Sequence, residues 1–567
     1  MRYSILAETY ADLEKVSSKL KKTEIIANLF KDTPANLLEA VTLLIQGRAF
    51  PAWSEKEIGV AEQLIIKAIA KAAGVSSEEV IKDYKKSGDL GLAIENLIGK
   101  KKQRVLGEEP LTVNKVFTNL QKIAEQTGGG SQDRKLDLIA ELLSQAKSDE
   151  ARYIVRTVLE QLRVGVAEGL VRDAIALAYK VSVDDVETAW NLLPDFGEVA
   201  KVAKEDGEKG LKKFKLRLGT PFIVQLAEKS PSLKEALESF KKVLLEYKYD
   251  GMRTLIHKKG DKVWLFTRNL ENITAAFPDI VQLAKKQIKA DDCVLDGETV
   301  GLDNKTGKPV PFQMLSTRIK RKYDVEKAAE EIPIDVNLFD IVYLGGKNLM
   351  DLTLDERRKH LAKTVKAIPE KFHIAEGLIT DNLKEAEKFY QQSLKAGEEG
   401  VIVKDLDALY VPGRRVAGGW LKVKPVMENL DVVIVGGTWG TGKRAGTIGS
   451  LHLAIRDPET GKFLECGMMG TGLKEKKSEQ EGSATLKEIT KLLKPYIESE
   501  SGSFVRFKPK IAIEVAYEEI QKSPTYVSGF ALRFPRFIRL RPDKSADEAD
   551  TIERVKTLFG QQKGKGK

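Results

Sequence analysis

Leu244-Leu245-Glu246-Tyr247-Lys248-Tyr249-Asp250-Gly251-Met252-Arg253 is the stretch on which the reading of this chain turns. In an extended segment successive side chains point to opposite faces, so Val243, Leu245, Tyr247 and Tyr249 share one face while Glu246, Lys248 and Asp250 share the other. That sets an amine between two carboxylates beside a glycine turn. A lysine attacks phosphorus or carbon only as the free amine. Glu246 and Asp250 alone favour the ammonium form, so a nucleophilic Lys248 requires a metal or further cations nearby. Taken alone, Lys248-Tyr249-Asp250-Gly251 equally suits a strand-edge lysine with ion partners and a turn after it.

Later segments decide between these readings. In order they are Leu265-Phe266-Thr267-Arg268-Asn269 with Phe277-Pro278-Asp279, Val294-Leu295-Asp296-Gly297-Glu298, Asn337-Leu338-Phe339-Asp340-Ile341, Glu398-Glu399-Gly400-Val401-Ile402-Val403-Lys404 and Trp420-Leu421-Lys422-Val423-Lys424. Lys422 and Lys424 sit two apart on an expected strand, hence on one face, as paired cations suited to a triphosphate. Glu298 and Glu399 are hard oxygen donors of the kind Mg²⁺ takes, one or two at a time, together with substrate phosphates. Each Glu also suits an ordinary ion pair, and Phe339 an ordinary core.

Together with the Lys248 segment, these stretches resemble the ordered motifs of the covalent nucleotidyltransferase superfamily, which holds DNA ligases, RNA ligases and mRNA capping enzymes. The resemblance implies that Lys248 is the nucleophile that accepts AMP from ATP. It further implies that Glu246 and Arg253 hold the adenine and the ribose or phosphate, that Arg268 and Glu298 serve the ribose region, and that Phe339 stacks on the base. Glu298 and Glu399 are the implied metal carboxylates for Mg²⁺, with Mn²⁺ as a substitute, and Lys422 and Lys424 meet the phosphate. A basic residue before the last segment, Arg415 rather than Arg414, is the implied further ATP contact.

The flanks point to one branch. Upstream of residue 213 apolar positions recur at three- and four-residue spacing, as in Glu24-Ile25-Ile26-Ala27-Asn28-Leu29-Phe30 and Lys135-Leu136-Asp137-Leu138-Ile139-Ala140-Glu141-Leu142-Leu143, which predicts helices. Gly128-Gly129-Gly130-Ser131-Gln132 breaks the pattern, with Ser131 the expected helix cap. Tyr153-Ile154-Val155-Arg156 and Leu162-Arg163-Val164-Gly165-Val166-Ala167-Glu168 resemble the helical DNA-binding domain of archaeal and eukaryotic ATP-dependent DNA ligases. Downstream, Leu430-Asp431-Val432-Val433-Ile434-Val435 and Leu451-His452-Leu453-Ala454-Ile455 read as strands among many glycines and predict a small barrel such as an OB-fold. Arg533-Phe534-Pro535-Arg536-Phe537-Ile538-Arg539-Leu540-Arg541-Pro542-Asp543-Lys544 resembles the last ligase motif, which implies that Arg541 and Lys544 reach the β- and γ-phosphates of ATP.

The expected architecture is therefore multidomain: an all-α DNA-binding domain over 1–212, an α+β adenylation domain with antiparallel sheets over 213–427, an all-β OB-fold over 428–558, and a basic disordered tail over 559–567. Gly437-Thr438-Trp439-Gly440-Thr441-Gly442-Lys443 fits the P-loop spacing, but Arg444 stands where Ser or Thr would bind Mg²⁺ and a strand pattern follows, so a turn is expected there.

With 93 Lys+Arg against 83 Asp+Glu, the net charge of +10 suits a polyanionic partner. The 2 cysteines, Cys293 and Cys466, lie far apart, and the 4 histidines do not cluster with them, which excludes the four-cysteine zinc module of NAD-dependent ligases and favours ATP. No secretory signal is legible, and no apolar run reaches the ~18 residues of a membrane span. The expectation is a cytoplasmic, nucleoid-associated monomer that seals nicked double-stranded DNA in replication, repair and recombination through a lysine–AMP intermediate. Gln103-Arg104-Val105-Leu106 is a degraded match to a sliding-clamp peptide. The rival readings are an RNA ligase or capping-type enzyme, a ligase that also takes ADP or GTP, and a non-catalytic DNA-binding scaffold.

Overall fold

Short polar residues start several of the described helices of the N-terminal part, and glycines stop two of them. The Ser18 side chain accepts the Lys21 amide, Ser76 and Glu79 cap each other reciprocally, Thr112 accepts the Lys115 amide, and Asp195 accepts the amides of Gly197 and Glu198. Gly74 and Gly88, both left-handed, end the helices Glu62–Ala73 and Ser77–Ser87. Helices run from Tyr3–Lys15 to Phe196–Leu211 and bury their apolar stripes in a common core that includes Tyr10, Phe30, Leu44, Ile69, Leu120, Ile154 and Ile175. Ser131 is not a cap. The left-handed Gly130 occupies the cap position and Ser131 is the first residue of the helix Ser131–Gln145, because the glycine run supplies the turn without a side-chain acceptor.

The computed structural model describes residues 1–99, 110–319, 321, 323–413, 419–425, 427–440, 446–473 and 484–562. These fall into two compact units, one made of Met1–Glu228, Asp250–Glu376 and Lys404–Trp420, the other of Lys229–Tyr249, Gly377–Val403 and the chain from Leu421 onward. Among the described residues no helix is long and apolar enough to cross a membrane.

In the first unit the helices are joined by a sheet ordered Lys262–Thr267, Met252–Lys259, Asp292–Leu302, Ile334–Leu344 and Lys347–Asn348, antiparallel throughout. Phe372–Ile374 adds to Ile334–Leu344 in parallel. One face buries Met252, Ile256, Leu265, Leu295 and Leu338 against Phe277 and Ile280. The other face is polar: Arg253 lies opposite Glu298, Glu298 opposite Asn337, and Asn337 opposite His373, so these four side chains form a row across four strands.

The second unit holds a sheet ordered Glu228–Lys229, Trp420–Val423, Val401–Asp405, Val243–Tyr247 and Gly377–Ile379. Val243, Leu245, Val401, Val403 and Val423 pack on Ala236 and Phe389 of the helices Leu233–Glu238 and Leu383–Lys395. The rest is β-rich, as expected, with Leu430–Trp439 paired to Ile448–Arg456, Phe504–Phe507 and Ala512–Ala516, and Arg536–Leu540 on Ala512–Ala516. A strand, not a helix, follows the 437–443 stretch; Thr441, Gly442, Lys443 and Arg444 lie outside the described residues. The final helix, Ile552–Gln561, continues past residue 558, where a tail was expected to begin, and the Gln562 side chain is buried against the backbone of Ile520. Apolar Ile552, Val555 and Leu558 tie that segment to the core.

Candidate active site

Lys248 stands just beyond the end of the strand Val243–Tyr247. Its backbone is bonded twice to the segment before Val401: the Lys248 amide donates to the Gly400 carbonyl at 2.8 Å, and the Glu399 amide donates to the Lys248 carbonyl at 2.9 Å. This reciprocal pair places the two side chains together. The Lys248 ammonium donates to the Glu399 carboxylate, and Lys424 Nζ donates to the same oxygen at 2.8 Å. Arg533 approaches the other Glu399 oxygen at 3.9 Å. Burial raises the Glu399 acid, but the Lys248 and Lys424 ammonium groups outweigh it and bring the carboxyl down to about 2. Gly400, at φ +131°, has its Cα against the Val423 carbonyl, where a Cβ has no room. That close approach is what lets Lys424 share the Glu399 carboxylate.

Glu246, one residue inside the strand end, is buried and lies opposite Gly377. Lys422 is half-buried, and its carbonyl accepts the Ser230 amide. A cavity of about 410 Å³ opens beside Glu399 and Lys424, with Arg533 and Leu558 also on its wall.

Arg253, Arg268, Glu298 and Phe339 belong to the first unit. Arg253 lies along Asp296, its Nε and Nη2 donating to the two carboxylate oxygens at 2.8 and 2.5 Å, while Nη1 donates to the Gln225 carbonyl at 2.8 Å. The Tyr410 hydroxyl adds a third donor to Asp296 at 2.8 Å. Burial and the neighbouring Asp296 push the Tyr410 phenol well above its ordinary range, so it stays a donor. Gly251 lies tight on its own sheet: a Cβ there would lie 2.5 Å from the Thr299 carbonyl oxygen.

Phe339 is part of a cluster of rings and cations. Lys404 Nζ lies 4.2 Å from the Phe339 centroid and 4.2 Å from that of Trp420, and the Arg253 guanidinium lies 5.1 and 5.4 Å from the same two rings. Trp420 meets Phe339 edge-on at 5.8 Å. Arg268 is exposed in the turn after Lys262–Thr267. Lys404, Asp296 and Trp420 stood inside the diagnostic segments, but a sequence gives no sign that they close around Arg253 and Phe339. Tyr410 carried no signal at all.

Residues 224–424 match the family model described as the ATP dependent DNA ligase domain, residues 2–176 the DNA ligase N terminus, and residues 444–544 the ATP dependent DNA ligase C terminal region. The chain is 47% identical over 565 residues to the DNA ligase of Nanoarchaeum equitans (strain Kin4-M), covering 100% of this chain and 99% of that one. It belongs to the archaeal-type ATP-dependent DNA ligase family. The DNA ligase of Thermococcus fumicolans is 45% identical to this ligase over 563 residues, with 99% of each chain covered. A solved structure titled Pmar-Lig_Pre. superposes with a TM-score of 0.56 at 19% identity over 94% of this chain and 99% of that one, a likeness of fold.

In this ligase the two late cations are held by carboxylates of their own unit. Arg541 Nη1 donates to both oxygens of Asp431 at 2.7 and 2.6 Å, Lys544 Nζ donates to Asp431 at 2.6 Å, and the remaining edge of Arg541 is paired with Asp543. The Arg541 hydrogen bond holds the Asp543 carboxyl down to about 2. Arg414 and Arg415, and the Gln103-Arg104-Val105-Leu106 peptide, lie outside the described residues.

Proposed function

We propose that this ligase seals nicks in double-stranded DNA in three displacements, with Lys248 as the nucleophile of the first. The observation that carries the reading is the Lys248–Glu399–Lys424 group: an amine whose counter-ion is a buried, ionised carboxylate shared with a second lysine. In the first step Lys248 Nζ loses a proton and attacks the α-phosphorus of ATP; the N–P bond forms as the bond to pyrophosphate breaks. In the second, a 5′-phosphate oxygen at the nick takes the AMP and returns the amine. In the third, the 3′-hydroxyl attacks that 5′-phosphorus and AMP leaves.

Glu246 and Phe339 hold the base, Arg253 the ribose or phosphate, Arg268 and Glu298 the ribose region, Lys422 and Lys424 the phosphate, and Arg415 makes a further ATP contact. Arg541 and Lys544 reach the outer phosphates, for which they exchange Asp431 as partner. Mg²⁺ suits this donor set, because Glu399 stays ionised to about pH 2 and such ions bind through one or two carboxylates plus substrate phosphates. Glu399 and Glu298 would hold it, and it would offset charge developing on the phosphates. Lys424 supplies fixed positive charge to the same atoms.

The division of labour follows the expected domains: 1–212 and 428–558 grip the duplex through its phosphates, and 213–427 carries the nucleotide. The protein works as a monomer on nicked DNA in the cytoplasm. The test is a nicked duplex labelled at its 5′-phosphate, incubated with Mg²⁺ and either ATP or NAD. Sealing with ATP and not NAD, abolished by Lys248→Ala, is expected; sealing by the Lys248→Ala protein would overturn the assignment.

A further inference from the structure

We propose that the segment 410–413 is a positioning strap for nucleotide capture, and that the helical region holds it in place through Asn191, so that this region contributes to ATP capture before any DNA is bound. The inference rests on the reading of Arg253 as a nucleotide contact.

Each strap residue is tied by its backbone. The Tyr410 amide donates to the Met350 carbonyl at 3.0 Å, the Val411 amide to the Gln225 side-chain oxygen at 2.8 Å, and the Gly413 amide to the Val224 carbonyl at 3.2 Å. The Pro412 carbonyl accepts from Asn191 Nδ2 at 3.1 Å. Asn191 is buried at the end of the helix Val183–Leu192, and its own carbonyl accepts the Ile223 amide at 2.8 Å. It thus grips both the strap and the backbone at Ile223. The fit is close: Gly413 has φ +76°, and a Cβ on it would lie 2.6 Å from Asn191 Oδ1.

The strap ends in the group that aims Arg253. The Tyr410 hydroxyl donates to Asp296 at 2.8 Å and accepts the Gln225 amide at 3.2 Å. Asp296 in turn fixes the fork of Arg253, whose Nη1 is tied to the Gln225 carbonyl. A chain of hydrogen bonds therefore runs from Asn191 through the strap and Gln225 to the guanidinium. Tyr410 and Asn191 act through Arg253 and are positioning residues. Holding a binding group in its working geometry in advance improves affinity by removing the cost of ordering it.

The test measures initial rates of labelling of the full chain by α-labelled ATP with Mg²⁺ and no DNA, over a range of ATP concentrations. Wild type is compared with Arg253→Ala, Tyr410→Phe, Asn191→Asp and the Tyr410→Phe/Asn191→Asp double variant. Asn191→Asp keeps size and shape but removes the donor to Pro412, and Tyr410→Phe keeps the ring. Each is expected to raise the half-saturating ATP about five- to twentyfold, the loss of one well-placed hydrogen bond to a charged network, with the maximal rate within about threefold. Because both act through one element, the double variant is expected to equal the larger single effect. Affinity for a nicked duplex, measured by anisotropy with EDTA and no nucleotide, stays at the wild-type value. Half-saturation within twofold of wild type in both single variants, while Arg253→Ala raises it, overturns the strap and leaves the Arg253 reading standing. An effect of Tyr410→Phe without one of Asn191→Asp overturns the role of the helical region. No effect of Arg253→Ala overturns the reading on which the inference rests.

Discussion

Replacing Glu399 by Gln keeps the shape of the side chain and removes the charge that Lys248 and Lys424 share. The magnitude follows from the carboxyl itself, which moves from 4.5 to about 2 on folding despite burial. At about 1.4 kcal/mol per pH unit, that displacement corresponds to about 3 kcal/mol of stabilisation of the ionised form. A depressed carboxyl contributes this fully above about pH 4.5 and loses it as the pH falls toward 2, so at pH 7 the whole amount is at stake. The loss is expected where the backbone pair joins Lys248 to Glu399 and Gly400. Hydrogen exchange of peptides covering 243–253 and 396–404 at pH 7 reads local opening there, and about 3 kcal/mol is roughly a hundredfold in exchange rate. The Gln variant should also lose labelling by ATP. Exchange within threefold of wild type in both peptides would refute the claim that this carboxylate holds the lysine segment together.

Gly400→Ala places a Cβ against the Val423 carbonyl at φ +131°, and is expected to cost about 2 kcal/mol or more and to abolish Lys248 labelling, checked by thermal melting and labelling together. Asp296→Asn removes the buried carboxylate that pairs with the half-buried Arg253; about 3 kcal/mol of destabilisation and a raised half-saturating ATP are expected from denaturant titration and initial rates. His257 is held neutral because burial lowers it from 6.5 to about 3, so folding loses stability as the pH falls below 6.5, about 2 kcal/mol by pH 5. His257→Phe should flatten the fall in melting temperature between pH 7 and 5; an unchanged fall would contradict this. Affinity for a nicked duplex should drop steeply with salt and little with sequence, measured by anisotropy across salt concentrations.

The parts of the fold written in short-range chemistry were legible. The three- and four-residue apolar spacing in 24–30 and 135–143 falls inside the helices Lys19–Asp32 and Ser131–Gln145, and the alternation in Val243–Tyr247 marks a strand, because helical periodicity and pleats act over a few residues. The 130–131 boundary was misplaced since a left-handed glycine can open a helix where a serine acceptor is the commoner device. The Lys248 segment announced its need for nearby cations, and Lys424 answers it across a carboxylate 151 residues further along than Lys248. Nothing local, however, tells Lys404 to lie between Phe339 and Trp420, or Tyr410 to reach Asp296 over 114 residues, since such partners are chosen by tertiary packing alone. Arg541 and Lys544 were readable as cations, and Asp431 as their partner was not, for the same reason.

Peptide mapping by mass spectrometry after incubation of the intact protein with ATP and Mg²⁺, with and without a subsequent chase of nicked duplex, locates the nucleotide acceptor itself. AMP is expected on the peptide containing Lys248, absent from Lys248→Ala and lost in the chase as sealed strand appears. AMP on a different residue, or an adduct on Lys248 that persists while the nick is sealed, would contradict that assignment.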